Sequence, residues 1–108
     1  MAPEVFVAVL ARMYEEPAAL SPWMMALPIA GRDGTLEARL KGTPAEGNAR
    51  AKTGTMSNIR TLAGYVRTRD GETLAFAILE NNFEGTGATA TEAIDAIVVR
   101  LAAFNRTP

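Results

Sequence analysis

The residues best suited to chemistry in this sequence are Lys52, Thr53, Gly54 and Thr55, within the stretch GNARAKTGTM. A cation and two hydroxyls can bind an anion, because ammonium and hydroxyl groups donate hydrogen bonds and glycine leaves the backbone accessible. Three interpretations fit such a strip: a turn, a phosphate-binding loop, or the substrate-facing edge of a β-sheet. The tripeptide K-T-G taken alone favours the turn, since Thr and Gly are ordinary residues near a strand end.

A phosphate-binding loop of the form G-x-x-x-x-G-K-[ST] is excluded by spacing and by context. In that motif a glycine directly precedes the lysine and a helix follows. Here Ala51 precedes Lys52, Gly47 lies one position too close, and the residues after Thr55 have a strand-like pattern. An edge strand that lines a cleft is the remaining interpretation with a defined chemistry.

The K-T-G element of penicillin-recognising serine enzymes has this edge-strand chemistry. Its lysine supplies positive charge toward a substrate carboxylate, and its threonine hydroxyl donates to that carboxylate. Its glycine keeps the strand surface clear, and the next backbone amide serves as an oxyanion-hole donor. In this sequence the four roles would fall to Lys52, Thr53, Gly54 and Thr55.

The residue inventory excludes several other kinds of site. The chain has neither cysteine nor histidine, so disulfides, zinc fingers and Ser-His or Cys-His catalytic pairs are ruled out. We predict no metal site and no cofactor. The 11 basic residues nearly balance the 12 acidic ones, and only 6% of residues are aromatic, which argues against nucleic-acid binding.

Length and hydropathy predict one globular domain over residues 1–108. No apolar run reaches the roughly 18 residues of a membrane span. The first residues lack a basic region followed by a short apolar run, so we predict no signal peptide in this chain.

The elements that must position the strip predict an α+β fold, in which an antiparallel β-meander of about three strands is flanked by N- and C-terminal helices. Apolar spacing predicts a helix from Pro3 to Tyr14, and a short helical turn is expected at Ser21-Pro22. Residues 31–47, with four glycines and one proline, indicate an ordered loop long enough to be functional.

The second half of the chain predicts strands and a final helix. Strands are expected over residues 49–53, 61–68 and 73–80, with the last two joined through an Asp-Gly hairpin turn. A capping box beginning at Thr89 predicts a helix from there to about Asn105.

Four ordered segments resemble the C-terminal part of the D-alanyl-D-alanine carboxypeptidase/endopeptidase family of penicillin-binding proteins, peptidase S13. The segments are LPIAGRDGTLEARLKGTP, ARAKTGTMSNIRTLAGYV, DGETLAFAILENNF and AIDAIVVRLAAF. The resemblance implies a piece of the β-lactamase/transpeptidase-like fold, and an intact parent in the periplasm or cell envelope that acts on peptidoglycan stem peptides and is acylated by β-lactams. It assigns substrate binding to Lys52, Thr53 and Gly54, and to Thr55 with its backbone amide as a possible oxyanion-hole donor.

The sequence departs from that family at the catalytic motifs S-x-x-K and S-x-N. Its only serines are Ser21 and Ser57, and neither occurs in either motif. Ser57 also has no plausible base beside it, so a loop role is favoured. We therefore predict that this chain alone is catalytically inactive. Two alternatives stay open: a fragment of a β-lactamase or esterase of the same fold, or a non-catalytic self-associating domain that is structural or binds peptides.

The predicted strand over residues 73–80 is apolar on both faces, although a simple meander puts it at a sheet edge. Natural edge strands are usually short, charged or covered. We therefore expect the isolated chain to self-associate through residues 73–80 or to exchange elements between copies.

Overall fold

The computed structural model describes residues 3–56, 59–81 and 87–106, and within these ranges the fold is the predicted α+β arrangement. A short 3-10 turn at Gly34–Leu36 lies in the loop that precedes the sheet. The elements in chain order are α1 (Pro3–Glu15), α2 (Pro17–Ala26), β1 (Arg50–Met56), β2 (Ile59–Arg67), β3 (Thr73–Asn81) and α3 (Gly87–Ala103).

The first helix begins at the predicted Pro3 and ends one residue beyond the predicted Tyr14, but two other helix starts differ from the sequence prediction. Helix α2 begins at Pro17 rather than at Ser21, because proline at the first helical position loses no intrahelical hydrogen bond. Helix α3 begins at Gly87, so Thr89 lies inside it and the predicted capping box is wrong. Ala90 is already buried, so α3 is sheltered from solvent on one side from its first turn onward.

The sheet is a three-stranded antiparallel meander in the order β1-β2-β3. The Asp-Gly turn joins β2 to β3 as predicted, with Gly71 at φ 86, a backbone angle that favours glycine. The prediction ended β1 at Thr53, whereas the strand runs on to Met56. The whole KTGT strip therefore lies within a strand.

Each face of the sheet packs against different helices. On one face, α3 and the loop over residues 31–47 form a core whose largest fully buried side chains are Leu36, Leu62, Val66, Ile94 and Val98. On the other face, α1 and α2 pack on the sheet through Leu10, Leu27, Trp23 and Tyr65. Fully burying an aliphatic side chain contributes roughly 1.5–3 kcal/mol, so the α3 face supplies most of the packing energy.

Strand β3 is at the edge of the sheet formed by the described residues, as the meander prediction required. Phe76 points to the α3 side and is buried, while most of the other β3 side chains are half-buried. The expected self-association through residues 73–80 is a separate matter and stays a prediction.

Candidate functional site

The outer edge of β1 is covered at its beginning and open further along. Residues 28–30 pair with residues 49–51: Ala30 N–H donates to the Ala49 carbonyl at 2.9 Å, and Ala51 N–H donates to the Pro28 carbonyl at 3.0 Å. Among the described residues, no strand pairs with this edge beyond Ala51. The KTGT strip therefore begins where the cover ends.

Ladder alternation gives the direction of the backbone groups in the strip. In an antiparallel pair, the N–H and C=O groups of successive residues point to opposite sides of the strand. Since Ala51 points toward Pro28, the backbone groups of Thr53 and Thr55 also point to the open edge, and those of Lys52 and Gly54 point to β2. Two residues of the strip thus present backbone donors and acceptors that pair with no strand in the described part of the chain.

The side chains of Lys52 and Thr53 lie on opposite faces of the strand. Lys52 pairs with Ala63 in the ladder and so shares the face covered by α1 and α2; it is exposed and takes part in none of the ion pairs among the described residues. Thr53 is half-buried on the α3 face, and its hydroxyl donates to the Thr35 hydroxyl at 3.2 Å. A cation without an ion-pair partner in the described ranges and a hydroxyl therefore flank the same open edge.

Gly54 has a packing reason to be glycine as well as its expected role in clearing the strand surface. A Cβ at this position would lie 2.4 Å from Thr61 Oγ1, on the neighbouring strand. Two atoms cannot stay at so short a distance, so any side chain at position 54 would displace Thr61 or push β1 away from β2.

The loop over residues 31–47 is ordered, as predicted, and it supplies the residue that sequence reasoning missed. Leu36 is completely buried, Gly31 N–H donates to its carbonyl at 2.9 Å, and Gly47 N–H donates to the Ala30 carbonyl at 2.8 Å. These contacts hold Thr35 beside Thr53. The unusual length of the loop was the only signal for this, and it pointed to no particular residue.

An ion pair ties the same loop to α3. Arg39 donates to both carboxylate oxygens of Asp95, at 3.2 and 2.5 Å, and both side chains are largely buried. A bidentate pair of this kind fixes geometry more firmly than a single surface contact. The position of the loop therefore depends on α3 as well as on β1.

An apolar groove of about 470 Å³ lies on the α1 side of the strip. Phe6, Val9 and Trp23 contribute helical side chains to it, and Lys52 lies at its polar margin. Trp23 and Met24 pack against the Tyr65 cluster, whereas Met25 is 80% exposed.

Several other polar residues have local structural roles. Asp33 accepts a hydrogen bond from Ile29 N–H at 2.7 Å, which is turn formation. Asp70 likewise accepts from the Thr68 hydroxyl within the hairpin. Arg50 donates to the Met24 carbonyl at 3.2 Å. Ser57 lies outside the described residues.

The described ranges contain neither a cluster suited to a metal ion nor a helix suited to a membrane. Residues 3–56, 59–81 and 87–106 bring together no group of three acidic side chains that could hold a metal ion. No helix in that part of the chain has the length and apolar run that a bilayer crossing requires.

Comparison with known families adds a sequence match over nearly the whole chain. The family model for D-Ala-D-Ala carboxypeptidase 3 (S13) matches residues 1–104. The chain belongs to this family. The predicted resemblance to peptidase S13 is thereby confirmed.

The curated relatives are much longer than this chain. A D-alanyl-D-alanine carboxypeptidase from Actinomadura sp. is 47% identical over 87 residues, which cover 76% of this chain and 16% of that protein. The carboxypeptidase DacB of Mycolicibacterium smegmatis is 44% identical over 84 residues, which cover 74% of this chain and 18% of the relative. The chain thus spans less than a fifth of either relative.

Solved structures confirm the fold class. Penicillin-binding protein 4 from Haemophilus influenzae superposes with a TM-score of 0.83 at 27% identity, covering 96% of this chain and 25% of that protein. The same protein in complex with a β-lactam gives a TM-score of 0.85. This chain is therefore similar to one part of a penicillin-binding fold, in agreement with the predicted C-terminal part.

Proposed function

We propose that this chain forms the carboxylate-binding wall of a serine-type D-Ala-D-Ala carboxypeptidase that acts on peptidoglycan stem peptides in the cell envelope. The observation that carries the proposal is the KTGT strip on the open edge of β1, in a member of the S13 family. An exposed lysine without an ion-pair partner among the described residues is available for a substrate carboxylate.

Substrate would lie in an extended conformation along this edge. The outward backbone groups of Thr53 and Thr55 offer β-type hydrogen bonds to a peptide, the usual way an exposed strand binds one. The Lys52 ammonium and the Thr53 hydroxyl would bind the terminal carboxylate, and each hydrogen bond to a charged group contributes about 1.5–3 kcal/mol. The Thr55 N–H would stabilise the oxyanion that develops on the scissile carbonyl.

Bond cleavage would need a nucleophile that residues 1–108 do not contain. Neither S-x-x-K nor S-x-N occurs in them, so the serine motif must come from sequence outside this chain. We therefore expect this chain to bind peptide carboxylates without forming a covalent adduct with a β-lactam.

The test is a titration of the ¹⁵N-labelled chain, followed by NMR, with a peptide that ends in D-Ala-D-Ala. The matched ligand is the same peptide with a C-terminal amide, which lacks the carboxylate. We expect shifts along β1, tighter binding of the acid than of the amide, and loss of this preference in Lys52→Met. Lys41→Met is the control, because Lys41 is also exposed but does not belong to the KTGT strip.

Equal binding of acid and amide by the unaltered chain would refute the proposed carboxylate site. Intact mass after incubation with penicillin provides an independent measurement. A stable mass increase would mean that this chain contains a reactive nucleophile, and the proposal that it binds without forming a covalent adduct would fail.

A second proposal concerns self-association through β3. Alternation in the ladder directs the backbone groups of Ala75, Ala77 and Leu79 away from β2, toward an edge with no strand partner among the described residues. A row of unpaired groups on a largely apolar strand is suited to pairing with a second copy. We propose that two copies join their β3 strands into one continuous sheet.

Sedimentation velocity of Ala77→Pro tests this pairing, with Ala77→Ser as control. Proline removes an outward N–H and is tolerated at an edge position, so the ladder to β2 should persist. We expect the unaltered chain and Ala77→Ser to dimerise, and Ala77→Pro to remain monomeric. A monomeric unaltered chain at high concentration would contradict the proposal.

A further inference from the structure

The loop over residues 31–47 brings a second hydroxyl against the KTGT strip. Thr53 Oγ1 lies 3.2 Å from Thr35 Oγ1, and the two residues are 18 positions apart in the chain. We propose that Thr35 is a positioning residue for carboxylate binding: it orients the Thr53 hydroxyl and donates a hydrogen bond to it when substrate is bound. This inference rests on the proposed function of the strip.

The chemistry of a hydroxyl pair supports this role. A threonine hydroxyl has one hydrogen to donate and two lone pairs that accept. Without ligand, Thr53 donates to Thr35. A carboxylate can only accept, so on binding the Thr53 hydrogen turns to the carboxylate and Thr35 becomes the donor to Thr53. Hydroxyls that are hydrogen-bonded in series polarise one another, which strengthens the hydrogen bond from the Thr53 hydroxyl to the carboxylate.

Thr35 is held in place by its neighbours. Leu36 is fully buried, and its N–H donates to the Asp33 carbonyl at 3.2 Å. Gly34 has φ 56, and a Cβ there would approach Pro28 Cγ to 3.0 Å, so the backbone beside Thr35 packs directly on the start of the sheet. A hydroxyl on such a rigid support can orient its partner without first being ordered by the ligand.

The ion pair between Arg39 and Asp95 extends this support to the far side of the loop. Its side chains are only 19% and 21% exposed, so the contact is sheltered from solvent screening. The loop is thus fixed at Leu36 by burial and at Arg39 by charge. Thr35 lies beside the first anchor and faces the strip.

The test compares Thr35→Val with Thr35→Ser in the same NMR titration with the acid and amide peptides. Valine keeps the shape of threonine and removes the hydroxyl, whereas serine keeps the hydroxyl. We expect Thr35→Val to weaken binding of the acid about 3- to 10-fold, the effect of one hydrogen bond, with no change for the amide. Thr35→Ser should bind both peptides like the unaltered chain.

Thr43→Val is the matched control within the loop. The Thr43 hydroxyl donates to the Leu40 carbonyl at 2.6 Å and does not contact the strip, so acid binding should be unchanged. The ¹⁵N NMR spectrum of the backbone N–H groups of each variant, recorded without peptide, reports whether the fold is intact.

The possible outcomes separate this inference from the proposed function. Unaltered acid binding in Thr35→Val, while Lys52→Met still abolishes the preference for the acid, would overturn the role of Thr35 alone. Weakening of both peptides, or failure of serine to restore binding, would indicate a purely structural residue and would also overturn it. If the unaltered chain does not prefer the acid, both proposals fail together.

Discussion

The hydroxyl of Tyr65 links both N-terminal helices to the sheet, and its removal is the sharpest test of how this fold is stabilised. It donates to the Leu10 carbonyl at 2.6 Å and accepts from the Trp23 indole N–H at 2.8 Å. Tyr65 is 2% exposed and Leu10 is 4% exposed, so water has little access to this bond. Tyr65→Phe removes the hydroxyl and keeps the ring.

The expected loss of folding free energy follows from the two hydrogen bonds that the Tyr65 hydroxyl makes. The Leu10 carbonyl lies inside α1 and keeps its helical hydrogen bond from the N–H four residues on, so Tyr65→Phe removes one of its two hydrogen bonds, a loss of about 0.5–1.5 kcal/mol. The indole of Trp23 is only half-buried and can turn toward water, so its contribution is smaller. We expect the free energy of unfolding to fall by about 1 kcal/mol, equivalent to a melting temperature roughly 5 °C lower for a domain of this size.

Urea unfolding at fixed protein concentration measures this difference. The chain has a single tryptophan, so fluorescence reports directly on Trp23, beside the deleted hydroxyl. Tyr14→Phe is the matched control: Tyr14 is 43% exposed, although its ring lies 5.6 Å from that of Tyr65, and we expect a change within about 0.5 kcal/mol. Equal stability of the two variants would refute the reasoning.

The same residue predicts a dependence on alkaline pH. Burial raises the pKa of Tyr65 above its ordinary 10.0, because the ionised phenolate would lose its hydration. Above pH 10 the unfolded chain therefore releases this proton before the folded chain does, and stability falls as pH rises. Tyr65→Phe should show a shallower alkaline decline than the unaltered chain, measured by the same urea midpoints; an unchanged slope would contradict this.

Three further predictions concern the sheet and the hairpin. Gly64→Ala should cost at least about 3 kcal/mol, because its Cβ would lie 2.0 Å from the Arg50 carbonyl oxygen. Gly54→Ala should cost roughly 1 kcal/mol, since its Cβ first meets the movable Thr61 hydroxyl. Thermal unfolding measures both losses, and equal melting temperatures for Gly64→Ala and Gly54→Ala would contradict this. Hydrogen bonds from the Thr68 hydroxyl and Arg106 N–H lower the pKa of Asp70 below 3.8. The stability that these bonds give the folded chain is therefore lost as pH falls through the lowered pKa. Asp70→Asn should flatten acid unfolding followed by circular dichroism; an unaltered acid midpoint would refute it.

The sequence by itself determined the elements whose signals are local. Alternating apolar residues and an Asp-Gly turn predicted the meander, and helical spacing predicted α1, because these patterns depend on neighbours a few positions away. The KTGT strip was also recognisable in this way, since its residue types and order carry its proposed chemistry. Family membership was evident for the same reason, from four segments in a fixed order.

Tertiary structure decided where the elements end and which side chains meet. Strand β1 continues past Thr53 because its ladder with β2 continues to the Met56–Ile59 pair, and α3 starts at Gly87 and buries Ala90 within its first turn. The contact between Thr35 and Thr53 depends on the burial of Leu36 and on an ion pair between residues 56 positions apart. No local pattern encodes such a contact, because it forms only when the loop, the sheet and α3 pack together.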